Sequence, residues 1–457
     1  MSRAVVPPAP TPAPPVPAPP ARPASPAGGR AGPRARTRTT PGLLRLLSVA
    51  LVVAIAALWT ASFLSTLARR NAIHGMSGTS APAFIAAQRL HAELSEADAT
   101  VVGAFLVGET EPAGKRKAYR QSISAATAQL DVLARAGGSA DARRALLVVS
   151  AQLPVYTGLV DQARADNRLG LNVAGAYLRQ ASELMRDTIL PAADTLAALE
   201  AGQIDDGYRR ATSSVHPVLV TVPGVVTLAG LVGVQLLVYR RTQRLLNLPL
   251  VAATAIVAVV VGLTLATFAT ERARLVDGRD NGFVPMADVA QARVLGLRAY
   301  GDQSLSLIAR GDGAALDADA DAVISQLGYD PKTGRPTGSG VLAAVTALGG
   351  PGHNDRAAIN RAWQDYLARS IRVRALAADP GGFQPAVALT LGDGAHYFTL
   401  FDTRADGALS NSQQLFAGRL SSAGHGFDGL AIGLSAAAAL SAALVLAGLQ
   451  IRINEYR

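Results

Sequence analysis

Asp317, Asp319 and Asp321 alternate along the chain, and three carboxylates at that spacing begin a calcium loop. The glycine and the distal glutamate that complete such a loop are missing, and the segment has a helical pattern, so a solvated acidic face is expected there. His91 and Glu93 are two residues apart, which points them to different faces of a helix. The other histidines, His74, His216, His353, His396 and His425, are scattered and read as polar surface residues. There is no cysteine, hence no disulfide, no thiol chemistry and no thiolate-bound metal. HExxH, GxxxxGK[ST], GxSxG and SxxK are all missing. No catalytic residue, metal site or cofactor is therefore expected. The group with chemistry left to do is Arg240, Arg241 and Arg244. Their guanidiniums can pair with carboxylates or phosphates of a partner, or simply anchor the chain to lipid headgroups.

Those arginines stand between two of four hydrophobic stretches, 46–68, 217–239, 248–269 and 429–451. None of the four contains Asp, Glu, Lys or Arg. Each is long enough, at ~1.5 Å per residue, to cross the ~30 Å hydrocarbon core as a helix. Roughly 150 residues separate the first two, eight the second and third, and roughly 160 the third and fourth. Two sizeable domains, 69–216 and 270–428, must then hang on one side of a membrane. The short segments carry the charge bias: 1–42, the turn 240–247 and the stub 452–457, with Arg45, hold 12 basic residues and one acid. The long loops are near neutral. Short basic segments stay in the cytoplasm, so both termini and the turn are expected inside and both domains outside. The net charge of +10 is thereby a topology signal and requires no nucleic acid. Arg69, Arg70, Arg209, Arg210, Arg272 and Arg274 run against this bias, since they flank the outer ends of the spans.

Residues 1–42 hold 13 of the 26 prolines, interleaved with alanine and arginine, and read as a disordered cytoplasmic tail. The first domain has the periodicity of long helices over Ala81–Val107, 115–136, 139–169 and 173–213, broken at Gly108, Pro112, Gly137-Gly138 and Gly170. The second repeats the plan over 283–310, a shorter helix to Leu327, an exposed loop from Gly328 to Gly340, 354–378, and 383–422 broken near Gly392 and Gly394. The fold class is all-α: four transmembrane helices, two tandem extracytoplasmic helical bundles and a disordered N-terminal tail. The halves look duplicated. Ala87-Gln88-Arg89-Leu90 resembles Gln291-Ala292-Arg293-Val294, Asp98 falls on Asp302 at the same offset of 204, and Tyr156 with Arg164 resembles Tyr366 with Arg374. Inside the spans, Gln235 is the strongly polar residue, and small residues recur every fourth position at Thr254, Ala258, Gly262 and Ala266 and at Gly429, Gly433, Ala437 and Ser441. That spacing lets helices approach closely.

Only three lysines occur, Lys115, Lys117 and Lys332, against forty arginines, a skew typical of a GC-rich genome such as an actinobacterium. The layout, with the segments 96–106, Ala176–Ser182 and Arg293–Gly311, resembles the GlnX-like family of actinobacterial four-span membrane proteins. The resemblance implies a relay between an amino-acid-binding (solute-binding) lipoprotein outside and the soluble Ser/Thr protein kinase PknG inside. It does not explain the Pro-rich tail. The inside segments are too short for an output domain of their own, which fits a signal handed to a separate protein. A structural or assembly scaffold of the cell envelope is the alternative, and a transporter subunit the third reading. Membrane lipids are expected partners, nucleic acid is not, and a homo-oligomer is compatible with the pattern. The topology is checked with a reporter active only in the cytoplasm, fused after Tyr119 or Tyr366. Silence is expected at both sites, and activity at either would reverse the orientation.

Overall fold

The computed structural model describes residues 40–108, 111–242, 247–309, 313–347, 352–424 and 429–454. The tail before residue 40, Arg244, His425 and the last three residues lie outside them. Among the described residues there is no strand, and one isolated antiparallel bridge joins Tyr329 to Pro336 in the loop that follows Leu327.

Helix α1 (Thr40–Gly75) carries the first apolar stretch and begins within the segment assigned to the tail, with Pro41 in its first turn, where a missing N–H costs nothing. A π-helical turn (Met76–Ser80) joins it without a break to α2 (Ala81–Val107). Helices α3 (Ala113–Ala136) and α4 (Ala140–Arg168) follow. Gly137 ends α3 at φ +83°, and the Ser139 hydroxyl caps α4 by accepting from the Ala142 amide at 3.1 Å. Then come α5 (Ala174–Leu184), a π turn (Met185–Ile189), α6 (Leu190–Thr212) and the second apolar helix α7 (Val215–Thr242).

The second half repeats this order. Helix α8 (Leu248–Gly278), a π turn (Arg279–Phe283) and α9 (Val284–Ala309) correspond to α1, the first π turn and α2. Helices α10 (Ala314–Leu327), α11 (Val341–Ala347) and α12 (His353–Ala378) fill out the bundle. Helix α13 (Phe383–Leu389), a π turn (Thr390–Gly394), α14 (Ala395–Gly424) and α15 (Leu430–Asn454) bring the chain back. The π turns of the two halves stand 203 and 205 residues apart, so the duplication extends to the local backbone defects. The loop 328–340 is less open than its composition suggests, because Tyr329 is buried and bonds Asn360 and Gln364.

Four helices are long and apolar enough to cross a membrane. They close a ring in which α1 packs on α7 and α15, and α8 on the same two. The Trp59 indole donates to Ser435 at 3.2 Å, and Gln235 donates to the Thr254 hydroxyl at 2.7 Å and the Leu250 carbonyl at 3.0 Å. Val49, Val53, Val222, Val226, Val259 and Ile432 remain exposed around the ring, an apolar surface suited to lipid. The small-residue spacing works differently from the sequence reading. Ala258, Gly262 and Ala266 face outward, with nothing within 4 Å of a Cβ placed on Gly262. The close approaches fall at Gly448, whose Cβ would lie 2.8 Å from Leu250, and at Gly224, whose Cβ would lie 3.1 Å from Val261. Periodicity reports spacing along one helix, and the neighbouring helix decides which side is covered.

Both bundles rise from the same side of this ring and touch along α2 and α9. The first bundle's core holds Leu90, Leu94, Tyr156, Leu178 and Met185, and it takes in Leu305 from α9. The second is aromatic, with Tyr300 stacked on Phe398 at 4.2 Å and Trp363 against Phe401 at 5.1 Å. Phe84 of the first bundle meets Phe283 at 5.3 Å, and Phe283 meets Phe416 at 5.8 Å, which carries the core across. The aromatic packing depends on a missing side chain, since a Cβ on Gly296 would lie 2.3 Å from the Phe401 ring. Gly296→Ala is expected to destabilise the solubilised protein by about 1–3 kcal/mol through overpacking. Gly301→Ala, with nothing within 4 Å, should be neutral or stabilising by up to ~1 kcal/mol. Thermal unfolding of both variants checks the pair, and equal behaviour would contradict the packing account.

Candidate functional site

The contact between α2 and α9 gathers a network of charged side chains from both bundles. On α9, Arg293 donates through Nε to Asp402 at 2.7 Å and through Nη1 to Asp406 at 2.7 Å, both on α14. Its Nη2 lies 3.9 Å from Glu96 of α2. About two turns from that point, Arg89 of α2 donates to Gln413 of α14 at 2.7 Å. Arg89 and Arg293 are the arginines matched by the internal repeat, and both grip the same returning helix. Burial raises the carboxyl of Glu93 against the pull of Arg293, and burial with the charge of Asp402 raises Glu96.

Deeper in the seam lie the two repeat-related aspartates. Asp98 accepts from the Ser182 hydroxyl at 2.9 Å and from the Tyr156 hydroxyl at 3.2 Å. Asp302 accepts from Arg186 of the first bundle at 3.2 Å, with Arg298 at 3.8 Å from its other oxygen. That second oxygen has no hydrogen-bond partner although the residue is only 1% exposed. Burial pushes both carboxyls up to about 6, opposed at Asp98 by the two hydroxyls and at Asp302 by the arginines. The second half keeps the tyrosine but moves its partner by one residue: Tyr366 donates to Gln303 at 2.9 Å, next to Asp302. The repeat-related arginines also agree in role. Arg164 pairs with Glu111 at 2.9 Å and lies over the Tyr119 ring at 4.2 Å, while Arg374 pairs with Asp321 and donates to the Pro331 carbonyl at 2.9 Å.

A cavity of about 660 Å³ opens beside this network in the second bundle, lined by Gln303, Ser306, Leu307, Asp317, Arg374 and Phe383 among others. It combines one carboxylate, one guanidinium and apolar walls, a composition that suits a small polar ligand. Asp317 thus lines a cavity, Asp321 holds Arg374, and Asp319 is the exposed member of the trio. Among the described residues no three His, Asp or Glu side chains stand together as metal ligands would. His91 is buried, 3.1 Å from Asp194 and 3.3 Å from the Ser95 hydroxyl. Helix periodicity places it on the inner stripe, a signal that its polar type obscures.

Of the three arginines singled out between the second and third spans, Arg240 is exposed near the end of α7, and Arg241 lies in the same helix. Arg244 lies outside the described residues. Asn247 precedes α8 and ties the turn to the fourth span, donating to the Gly448 carbonyl at 2.8 Å.

Residues 72–209, which comprise most of the first bundle, match the family model of an actinobacterial sensor domain. No curated protein and no solved structure matches the chain. The match fits an actinobacterial sensing membrane protein, and the second bundle relates to the matched segment through the internal repeat.

The raised carboxyl of Asp98 has a definite sign. Its contribution to stability is fully present below the ordinary 3.8 and is lost as pH rises through about 6. Asp98→Asn, which keeps a neutral acceptor, should exceed the wild type in stability at pH 8 by up to roughly 3 kcal/mol, and the gap should narrow toward pH 4. Thermal unfolding across that range checks it, and a gap independent of pH would contradict the burial of an ionised carboxylate.

Proposed function

We propose that this chain is a non-enzymatic, four-span signalling protein that carries a binding event at its two bundles, on the extracytoplasmic side, to a separate cytoplasmic Ser/Thr kinase. The observation behind this reading is helix continuity. Residues 45–107 form one helical run of 63 residues and 248–309 one of 62, each joining a span to a bundle through a π turn. The return run, 174–240, is interrupted only at Ser213 and Ser214. At ~1.5 Å per residue such a run is roughly 95 Å long and couples the membrane-distal end of a bundle to the far end of its span. A partner that binds two arrangements of the α2–α9 seam unequally would bias the spans by the same free energy.

The outside partner in this proposal is an amino-acid-binding lipoprotein, by the likeness to GlnX-like proteins. The kinase contact is the turn with Arg240, Arg241 and Arg244, whose guanidiniums suit carboxylates or phosphates. Both termini lie in the cytoplasm. The match to a sensor domain supports the sensing half of the proposal.

The output half is tested by replacing the three arginines with glutamine and following insertion and kinase regulation in cells. Insertion should survive, because each arginine contributes only ~1 kcal/mol of lipid attraction and the basic tail remains. Loss of kinase regulation in a normally inserted variant is the expected result. Regulation like that of the wild type would reduce the turn to an anchor.

A further inference from the structure

Two of the six outer-flank arginines that run against the charge bias, Arg69 and Arg272, line a cavity of about 630 Å³ at the bundle end of the spans. Arg69 comes from the end of α1, Thr212 and Pro217 from the α6–α7 junction, and Phe268 and Arg272 from α8. The walls change character with depth. Pro217, Leu265, Phe268 and Ala269 lie within the apolar stretches, whereas Arg69, Arg272 and Asn281 lie beyond them.

Arg69 is only 2% exposed. Its guanidinium lies over the Phe268 ring at 4.2 Å and donates to the Ser213 carbonyl at 3.2 Å and the Phe268 carbonyl at 3.5 Å. Its Nε has no hydrogen-bond partner. Among the described residues, no carboxylate stands within ion-pair distance of Arg69 or of Arg272, which is exposed. Two acids also line the cavity, and both have cationic partners: Asp277 is paired with Arg419 at 3.5 Å and Asp280 with Arg279 at 3.8 Å, while Glu271 is held by Arg274 at 2.8 Å. A buried guanidinium with an unpaired N–H and only carbonyl partners is costly unless an anion compensates it.

We propose that this cavity binds the phosphate of an anionic glycerophospholipid from the leaflet on the bundle side. The phosphate sits between Arg69 and Arg272, where charge-assisted hydrogen bonds from guanidinium are strongest, and the acyl chains run down the wall of Pro217, Leu265 and Phe268. Arginine at this rim is then a ligand for lipid, which explains why it tolerates a position that topology alone disfavours. The site is lined from α1, the α6–α7 junction and α8, so the lipid bridges three of the connections between spans and bundles.

The test follows thermal unfolding of the full chain in a neutral detergent during titration with phosphatidylglycerol, phosphatidylcholine or inorganic phosphate. Phosphatidylglycerol should give a saturable stabilisation, and the other two should not. Arg272→Gln should weaken the apparent affinity about tenfold, as expected for the loss of ~1.4 kcal/mol. Arg69→Gln should abolish the response, and if that variant fails to fold, Arg272→Gln carries the test. Arg210→Gln, an exposed control whose Nε donates to the Asp206 carbonyl, should respond as the wild type. An equal response to phosphatidylcholine, or an unchanged one in Arg272→Gln, would overturn the site. A shift reproduced by inorganic phosphate alone would overturn the lipid and leave a soluble anion in its place.

Discussion

A bilayer offers no water to unpaired amides, so every N–H and C=O within it must be bonded inside the protein. This constraint turns the four apolar stretches into helices, and most of the remaining architecture follows from how those helices end. Two, spans one and three, do not stop at the apolar boundary. Their hydrogen-bond ladders continue into the bundles, so the spacing of these spans is inherited by the helices above them. The largest contact between the bundles then runs along the helices that spans one and three project outward, α2 and α9.

The internal repeat gives that meeting its form. Two copies of one unit, each too small to bury all of its apolar surface, share an aromatic path through Phe84, Phe283 and Phe416. Repetition also brings equivalent charges near each other, and the copies have diverged to accommodate this. Asp98 is held by hydroxyls within its own bundle, whereas Asp302 takes an arginine from the other. Arg89 reaches an amide and Arg293 two carboxylates, both on α14. The seam therefore buries two acids whose carboxyls desolvation raises to about 6.

Charge is used in different ways at the two ends of the spans. Beyond the ends next to the short turn, the sequence sets arginines against a single acid, Glu455. At the bundle ends several arginines are paired, Arg209 with Asp206, Arg274 with Glu271 and Arg279 with Asp205, so they add little net field. Arg69 and Arg272 line an amphipathic cavity, which gives them a physical reason to be there.

Helix content, the number of spans and the duplicated plan were legible in the sequence, because each rests on local terms. Hydropathy over 22 or 23 residues, glycine and proline breaks, and the Ser139 cap all act within a few turns of chain. The boundaries of α2, Ala81–Val107, were read to the residue for that reason. The match of Asp98 with Asp302 was legible as well, but its meaning was not. The partners of the pair, Ser182, Tyr156, Arg186 and Arg298, include residues as far as 116 positions away. The π turns left no compositional mark, since an extra residue in a helical turn is stabilised by what packs against it. The outward face of Ala258, Gly262 and Ala266, the burial of His91 and both cavities were likewise settled by neighbouring helices. Sequence determined which segments are helical and which of them are apolar, and tertiary packing alone decided which faces meet, because that choice depends on contacts between residues far apart in the chain.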